Sequence, residues 1–152
     1  MFGEKLMKKV AIIGAGISGL FIANLFKKNS HYQITIYEKN TSIDLDEGYG
    51  VQLSVNSVRI LNKIGFQKLN NNEKFNPEKI NFYSNENSNK ICELDITGFN
   101  SEDCKYTTLK RSFLINFLKT DLEDLIKTGY NISKIDHQDK QIKLFFENDE
   151  VK

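Results

Sequence analysis

An α/β fold with a parallel sheet is what this sequence predicts, and three observations predict it. An apolar, mostly β-branched run, Val10-Ala11-Ile12-Ile13, leads straight into three glycines, Gly14, Gly16 and Gly19, and an apolar helical pattern follows. A second strand-like segment, Gln33-Ile34-Thr35-Ile36-Tyr37, comes next and ends in an acid, Glu38. Further along, helical periodicity again alternates with short β-branched and aromatic runs, as βαβ construction requires. The chain of 152 residues has the size of one ordinary domain and can bury a real core.

Taken in order, residues 1–9 are polar and expected to fray, with Met7 a possible natural start. The first strand then begins at Val10. Each glycine of the G-x-G-x-x-G spacing has its own task. Gly14 permits the tight strand-to-helix turn, Gly16 lets a pyrophosphate approach the backbone, and Gly19 lets the helix lie close to the sheet. The free N–H groups of the first helical turn, with the helix dipole behind them, favour an anion at that place. Glu38 lies 24 positions beyond Gly14 (38 − 14), near the ~20 expected of a ribose-binding carboxylate. The context is that of a Rossmann-type dinucleotide site. Its candidate residues are Gly14, Ala15, Gly16, Ile17, Ser18 and Gly19 at the phosphates and Glu38 at the ribose. Lys39 is the weaker candidate, screening Glu38 or touching the adenosine end. A targeting segment is the rival reading, since Lys8 and Lys9 precede an apolar-leaning run to Phe26. That run holds three glycines, Ser18 and Asn24, is followed by no A-x-A cleavage pattern, and falls short of the ~20 apolar residues of a span.

The helix predicted over 16–28 places Ile17, Leu20, Phe21, Asn24 and Leu25 on one wide stripe, with Phe21 and Phe26 as core packing. After Glu38 comes a polar loop with Asp44, Asp46 and Glu47, then a second helix over about 55–64 carrying Val55, Val58, Leu61 and Ile64, with Gly65 as its stop. Asn70-Asn71-Asn72 and Asn76-Pro77 mark a loop. Ile80-Asn81-Phe82-Tyr83 and Ile91-Cys92-Glu93-Leu94 read as a hairpin about the tip 85–89. Ser112 is the expected N-cap of a helix whose face runs Leu114, Leu118, Leu122, Leu125, Ile126, with Lys127 in the last turn and Gly129 beyond it. A strand from Tyr130 to Ile135 should then lie parallel to the first two. The turn 137–140 leads to a last strand, Gln141 to Phe146, and Asn148-Asp149-Glu150 opens a further turn.

Lysine plus arginine total 21 against 20 for aspartate plus glutamate, a balance that points to no nucleic-acid partner. The two cysteines, Cys92 and Cys104, match no C-x-x-C or zinc spacing and suit a reducing, cytoplasmic chain. His31 and His137 sit in polar, turn-like surroundings, read as solvated, and assemble no metal site. No paired acid and base stands out as catalytic.

Three separated segments together resemble the flavin-dependent aromatic hydroxylases, the group of para-hydroxybenzoate hydroxylase and the ubiquinone-biosynthesis hydroxylases. The first is Val10 to Glu38, similar to their FAD-binding βαβ start. The second, Gly48-Tyr49-Gly50-Val51-Gln52-Leu53-Ser54-Val55-Asn56-Ser57-Val58-Arg59-Ile60-Leu61, resembles their G-x-G-[IV]-Q-L-x-x-N-[AS] segment and is far more specific than the glycines; Val55 stands where proline is common. The third, Lys110-Arg111-Ser112-Phe113-Leu114-Ile115-Asn116-Phe117-Leu118, is similar to their R-x-x-L-x-x-x-L helix start. The resemblance implies FAD as cofactor, with Glu38 on the adenosine ribose and with Gln52 and Arg111 against the ribityl–pyrophosphate region. The chemistry of the side chains agrees: a carboxylate accepts from two hydroxyls, and a guanidinium meets phosphate oxygens as a charged fork. Taken alone, Arg111 is equally a surface cation or a partner of Asp121 or Glu123, and Gln52 a polar residue at a strand edge.

The resemblance further implies a monooxygenase, in which NAD(P)H reduces the flavin and an oxygen atom of dioxygen passes to an aromatic or similar small molecule. It spans the whole chain but only the front of such a protein. The expectation is therefore a truncated FAD-binding domain over 1–152, with a partial β-hairpin layer at 78–108 beginning the substrate-region sheet. An isolated chain of this kind would leave the strand 141–146 without its partner, bind FAD poorly and hydroxylate nothing. Two other readings remain: an NAD-dependent dehydrogenase domain, which shares the glycines and Glu38 but leaves 48–61 and Arg111 unexplained, and a non-catalytic dinucleotide-binding remnant.

Overall fold

The computed structural model describes residues 7–43, 49–139, 141–147 and 150–152. The expectations for the first six residues, for the loop at Asp44, Asp46 and Glu47, for Gly48, and for the turns at Lys140 and Asn148-Asp149 lie outside the described residues. In chain order the elements begin β1 (Lys8–Ile13), α1 (Ile17–Lys27), β2 (Tyr32–Glu38), β3 (Gly50–Leu53), α2 (Val55–Asn62), β4 (Lys79–Tyr83) and β5 (Lys90–Asp95). They continue β6 (Thr107–Lys110), α3 (Arg111–Lys119), β7 (Ile126–Thr128), β8 (Ile132–Gln138) and β9 (Gln141–Phe146). The chain divides into two compact units, residues 1–46 with 115–152, and residues 47–114.

The first unit is built on a parallel sheet in the order β1-β2-β7. Ile12 of β1 lies opposite Ile36, and Ile36 in turn opposite Ile126, so one row of branched side chains crosses the sheet. Leu20 and Ala23 of α1 are wholly buried, as are Ile36, Leu118 and Leu122. Asn24 ties the helices of this unit: its Nδ2 donates to the Leu20 carbonyl at 2.9 Å and to the Leu118 carbonyl at 2.7 Å. Lys8 and Lys9 are already in β1, held by the Lys8 N–H on the His31 carbonyl, so the first strand starts before Val10. His31 itself is half-buried rather than solvated, and His137 lies in β8 and not in a turn.

Four expectations about the last third are corrected. The helix does not run to Ile126; it ends at Lys119. The Thr120 hydroxyl folds back on the Asn116 carbonyl at 2.9 Å, and Asp121 takes a left-handed φ of 65°, which no helix continues through. The third parallel strand is therefore Ile126–Thr128, not Tyr130–Ile135. Gly129 is not a helix stop but turns the chain out of that strand at φ 76°, with its N–H on the Asn40 carbonyl. The residues after it form β8, antiparallel to β9. Nor is β9 left without a partner: beyond β8 it pairs with residues 150–152, Leu144 and Lys152 exchanging two backbone bonds of 3.0 Å. Tyr37, Tyr130 and Phe146 stack under this hairpin, with ring centroids 4.9 to 5.5 Å apart.

The second unit pairs β3 with β6, antiparallel, Gln52 opposite Thr108 and Gly50 opposite Lys110. Ser54 caps α2 by accepting the Ser57 N–H, and Gly65, at φ 99°, supplies the left-handed exit expected of it. Val58, Leu61, Phe66, Ile96, Leu109 and Leu114 are among its buried residues. The hairpin of β4 and β5 forms as expected, with Ile80 opposite Leu94 and Phe82 opposite Cys92. Ser112 sits inside the first turn of α3 rather than at its cap, because the helix opens at Arg111 directly from β6.

Candidate functional site

In the first unit the candidate residues form one hydrogen-bonded piece. β1 delivers Gly14, whose φ of 95° makes the turn and whose N–H bonds the Tyr37 carbonyl at 2.7 Å. Gly19 is at a real constraint: a Cβ there would stand 2.0 Å from the Gly14 carbonyl oxygen and 3.3 Å from Ile12 Cγ2. Gly16 is the opposite case. It is the N-cap of α1 in an extended conformation, and a Cβ built on it meets nothing within 4 Å. That open space lies over the first turn of α1, where the N–H groups of Ile17 and Ser18 have no intrahelical acceptor. Room for an anion and donors to hold it occur together, so these residues fit a phosphate group.

Glu38 closes β2, and its carboxylate reaches two backbone amides: Oε2 accepts from the Ala15 N–H at 2.8 Å, Oε1 from the Asn40 N–H at 3.0 Å. A carboxylate offers about four lone-pair sites, so acceptor capacity for two hydroxyls remains. Beyond Glu38 an open cleft of about 510 Å³ is lined by Lys39, Asn40, Thr41, Gly129, Asn131 and Glu147. Tyr130 N–H on the Glu38 carbonyl and Gly129 N–H on the Asn40 carbonyl shape its floor. Lys39 is exposed and lines this open cleft, while the part that Gly129, Asn131 and Glu147 play in its wall has no signature in the sequence.

In the second unit the β3–β6 ladder carries both Gln52, opposite Thr108, and Arg111, just past the Gly50–Lys110 pair at its end. The Arg111 N–H bonds the Tyr49 carbonyl at 2.9 Å, one step past the Gly50–Lys110 pair. Gln52 is exposed, and its Oε1 accepts from the Tyr106 hydroxyl at 2.9 Å, a bond that uses none of its amide N–H groups. Among the described residues Arg111 forms no ion pair, and its Nη1 is buried without a hydrogen-bond partner. An orphaned guanidinium N–H costs about 1–3 kcal/mol and suits an anionic oxygen. Tyr106 was missed from the sequence; the alternation Thr107-Thr108-Leu109-Lys110, buried at Thr107 and Leu109, was the available signal for the strand that carries it. Among the described residues no group of three or more His, Cys, Asp or Glu could hold a metal, and no helix is long and apolar enough to cross a membrane.

The parallel strands, the glycine turn and the following helix define a Rossmann-like α/β architecture. Residues 12–43 match the family model of the NAD(P)-binding Rossmann-like domain. Over 57 residues the chain is 40% identical to 3-amino-4-hydroxybenzoate 2-monooxygenase PtnB3 of Streptomyces platensis, a match that covers 38% of this chain and 14% of that one. Among solved structures, 2,6-dihydroxypyridine-3-hydroxylase of Arthrobacter nicotinovorans superposes with a TM-score of 0.75 at 12% identity, covering 96% of this chain and 35% of that one. HpxO of Klebsiella pneumoniae, solved with FAD and uric acid, gives 0.74 at 16% identity over 95% of this chain and 36% of that one. The resemblance to flavin-dependent aromatic hydroxylases is borne out by these relatives, and the chain spans about a third of the length of the solved ones.

Proposed function

We propose that the chain is the FAD-binding portion of a flavin-dependent monooxygenase that acts on an aromatic or similar small molecule, with NAD(P)H as reductant. The observation that carries this reading is the single hydrogen-bonded piece formed by the open Gly16 turn and the Glu38 carboxylate. Bound there, FAD supplies the redox chemistry and the activation of dioxygen; the protein supplies position and electrostatics. Gly14 to Gly19 hold the pyrophosphate through backbone N–H groups, Glu38 accepts from the adenosine ribose, and the cleft beside Lys39 takes the adenine end. Gln52 directs amide N–H groups at the ribityl chain, and the free Arg111 guanidinium edge neutralises phosphate charge. The whole of 1–152 serves this one cofactor, and 78–108, with the β4–β5 hairpin, begins the substrate-region sheet. Two free cysteines, one of them exposed, suit a reducing cytoplasm, and nothing in the charge balance invites a nucleic acid.

The match to an NAD(P)-binding family favours a second reading, a nicotinamide-dependent dehydrogenase domain. Calorimetric titration of the chain with FAD and with NAD separates them. Saturable FAD binding that disappears in Gly16→Val, with an unchanged melting temperature, is the expected result. Binding of NAD with none of FAD replaces the flavin reading by the second one.

A further inference from the structure

The glycine turn is tied to the end of β2 by the Gly14 N–H on the Tyr37 carbonyl, at 2.7 Å, and by the Glu38 carboxylate. One oxygen of that carboxylate holds the Ala15 N–H at 2.8 Å and the other the Asn40 N–H at 3.0 Å, so a single side chain spans the loop after β1 and the turn after β2. Ala15 is buried, and it stands directly between the two glycines whose backbone must face a phosphate. We propose that Glu38 is a positioning residue as well as a ligand-binding one: a latch that holds the glycine turn in its binding form before any cofactor arrives.

The argument is one of occupancy and entropy. Ordering a loop residue costs backbone entropy, and a loop ordered in advance spares that cost at the moment of binding. Hydrogen bonds to a charged acceptor are the strong ones, and two backbone donors use only half of the carboxylate's lone-pair capacity. The latch and the ribose contact therefore coexist, and the acid need not release Ala15 to accept hydroxyls. The side chain also sets a sign that charge alone reverses. A carboxylate near a phosphate site repels the phosphate, so its removal should strengthen phosphate binding unless it also holds the loop.

The proposal rests on the reading of the glycine turn as a phosphate site, and its test keeps the two apart. Amide hydrogen exchange is measured on the ligand-free chain, with Glu38→Ala and Glu38→Gln beside it, and inorganic pyrophosphate, which has no ribose, is titrated into all three. The Ala15 and Asn40 amides should exchange at least tenfold faster in Glu38→Ala, while the Leu20 amide in α1 keeps its protection and reports an intact fold. Glu38→Gln, equally uncharged but still an acceptor, should keep part of that protection and bind pyrophosphate at least threefold more tightly than Glu38→Ala. Unchanged exchange at Ala15 in a folded Glu38→Ala protein, or equal pyrophosphate affinity of the two variants, overturns the latch. Absence of pyrophosphate binding by the wild-type chain overturns the phosphate reading itself and takes the proposal with it.

Discussion

A single methyl group distinguishes the glycines of the turn. At Gly19 it would stand 2.0 Å from a backbone oxygen, and at Gly16 it would stand in open space. Gly19→Ala should therefore destabilise the chain by about 1–3 kcal/mol, as overpacking does, read as a fall in the denaturant midpoint. Gly16→Ala should leave that midpoint almost unchanged and act only on ligand binding. Arg111 shows the converse trade. Its buried Nη1 lacks a partner, a defect worth about 1–3 kcal/mol, so Arg111→Met should stabilise the ligand-free chain and weaken FAD binding. A variant that loses stability and keeps FAD affinity would assign the guanidinium to packing alone.

The elements owe their boundaries to a few residues off the hydrophobic pattern. Asp121, at φ 65°, ends α3 where the leucine spacing invites continuation. Asp121→Gly should be neutral or mildly stabilising, and Asp121→Val should cost about 1–2 kcal/mol, the penalty of a left-handed β-carbon; thermal melts of the two variants check this. The pairing of residues 150–152 with β9 depends on charge. The Lys152 ammonium, and then the Tyr130 hydroxyl, hold the Glu150 carboxyl below its ordinary value. The hydrogen bond to Glu150, and then burial, push the Tyr130 hydroxyl up. A depressed carboxyl stabilises the fold above its unfolded value, about 4.3, and the gain is lost as pH falls through the lowered one. The raised tyrosine stabilises below its unfolded value, about 10, and that gain is lost as pH rises through the raised one. Amide protection at Leu144 and Phe146, corrected for intrinsic exchange, should be greatest between these limits and fall on both sides.

Across the whole molecule the most unusual surface is the β4–β5 hairpin of the second unit. Every residue of β5 is exposed, Ile91 at 68%, and Phe82 of β4, opposite Cys92, is 48% exposed. An open two-stranded ribbon with apolar side chains on a chain of net charge +1 is prone to self-association. Sedimentation of the isolated chain should show concentration-dependent association at pH 7, reduced by a Phe82→Thr, Ile91→Lys double substitution with no loss of the parallel sheet.

The sequence by itself determined the first βαβ unit, the glycine turn, the acid at the end of β2 and the β4–β5 hairpin. Their signals are local: a strand pattern, a glycine spacing or a polar tip lies within a dozen residues of what it specifies. It also picked out Gln52 and Arg111, through motif resemblance and not through chemistry visible at either residue. Only the tertiary structure decided that Ile126–Thr128, and not Tyr130–Ile135, is the third parallel strand, because that choice follows from Asp121 and Gly129 turning the chain and from the room left beside β2. It alone decided that Thr107–Lys110 pairs with Gly50–Leu53, a ladder across more than fifty residues that no local pattern encodes. And it alone placed the Glu38 carboxylate on the Ala15 amide, 23 residues earlier in the chain, since a hydrogen bond from the end of one strand to the turn after another depends on how the two strands are paired.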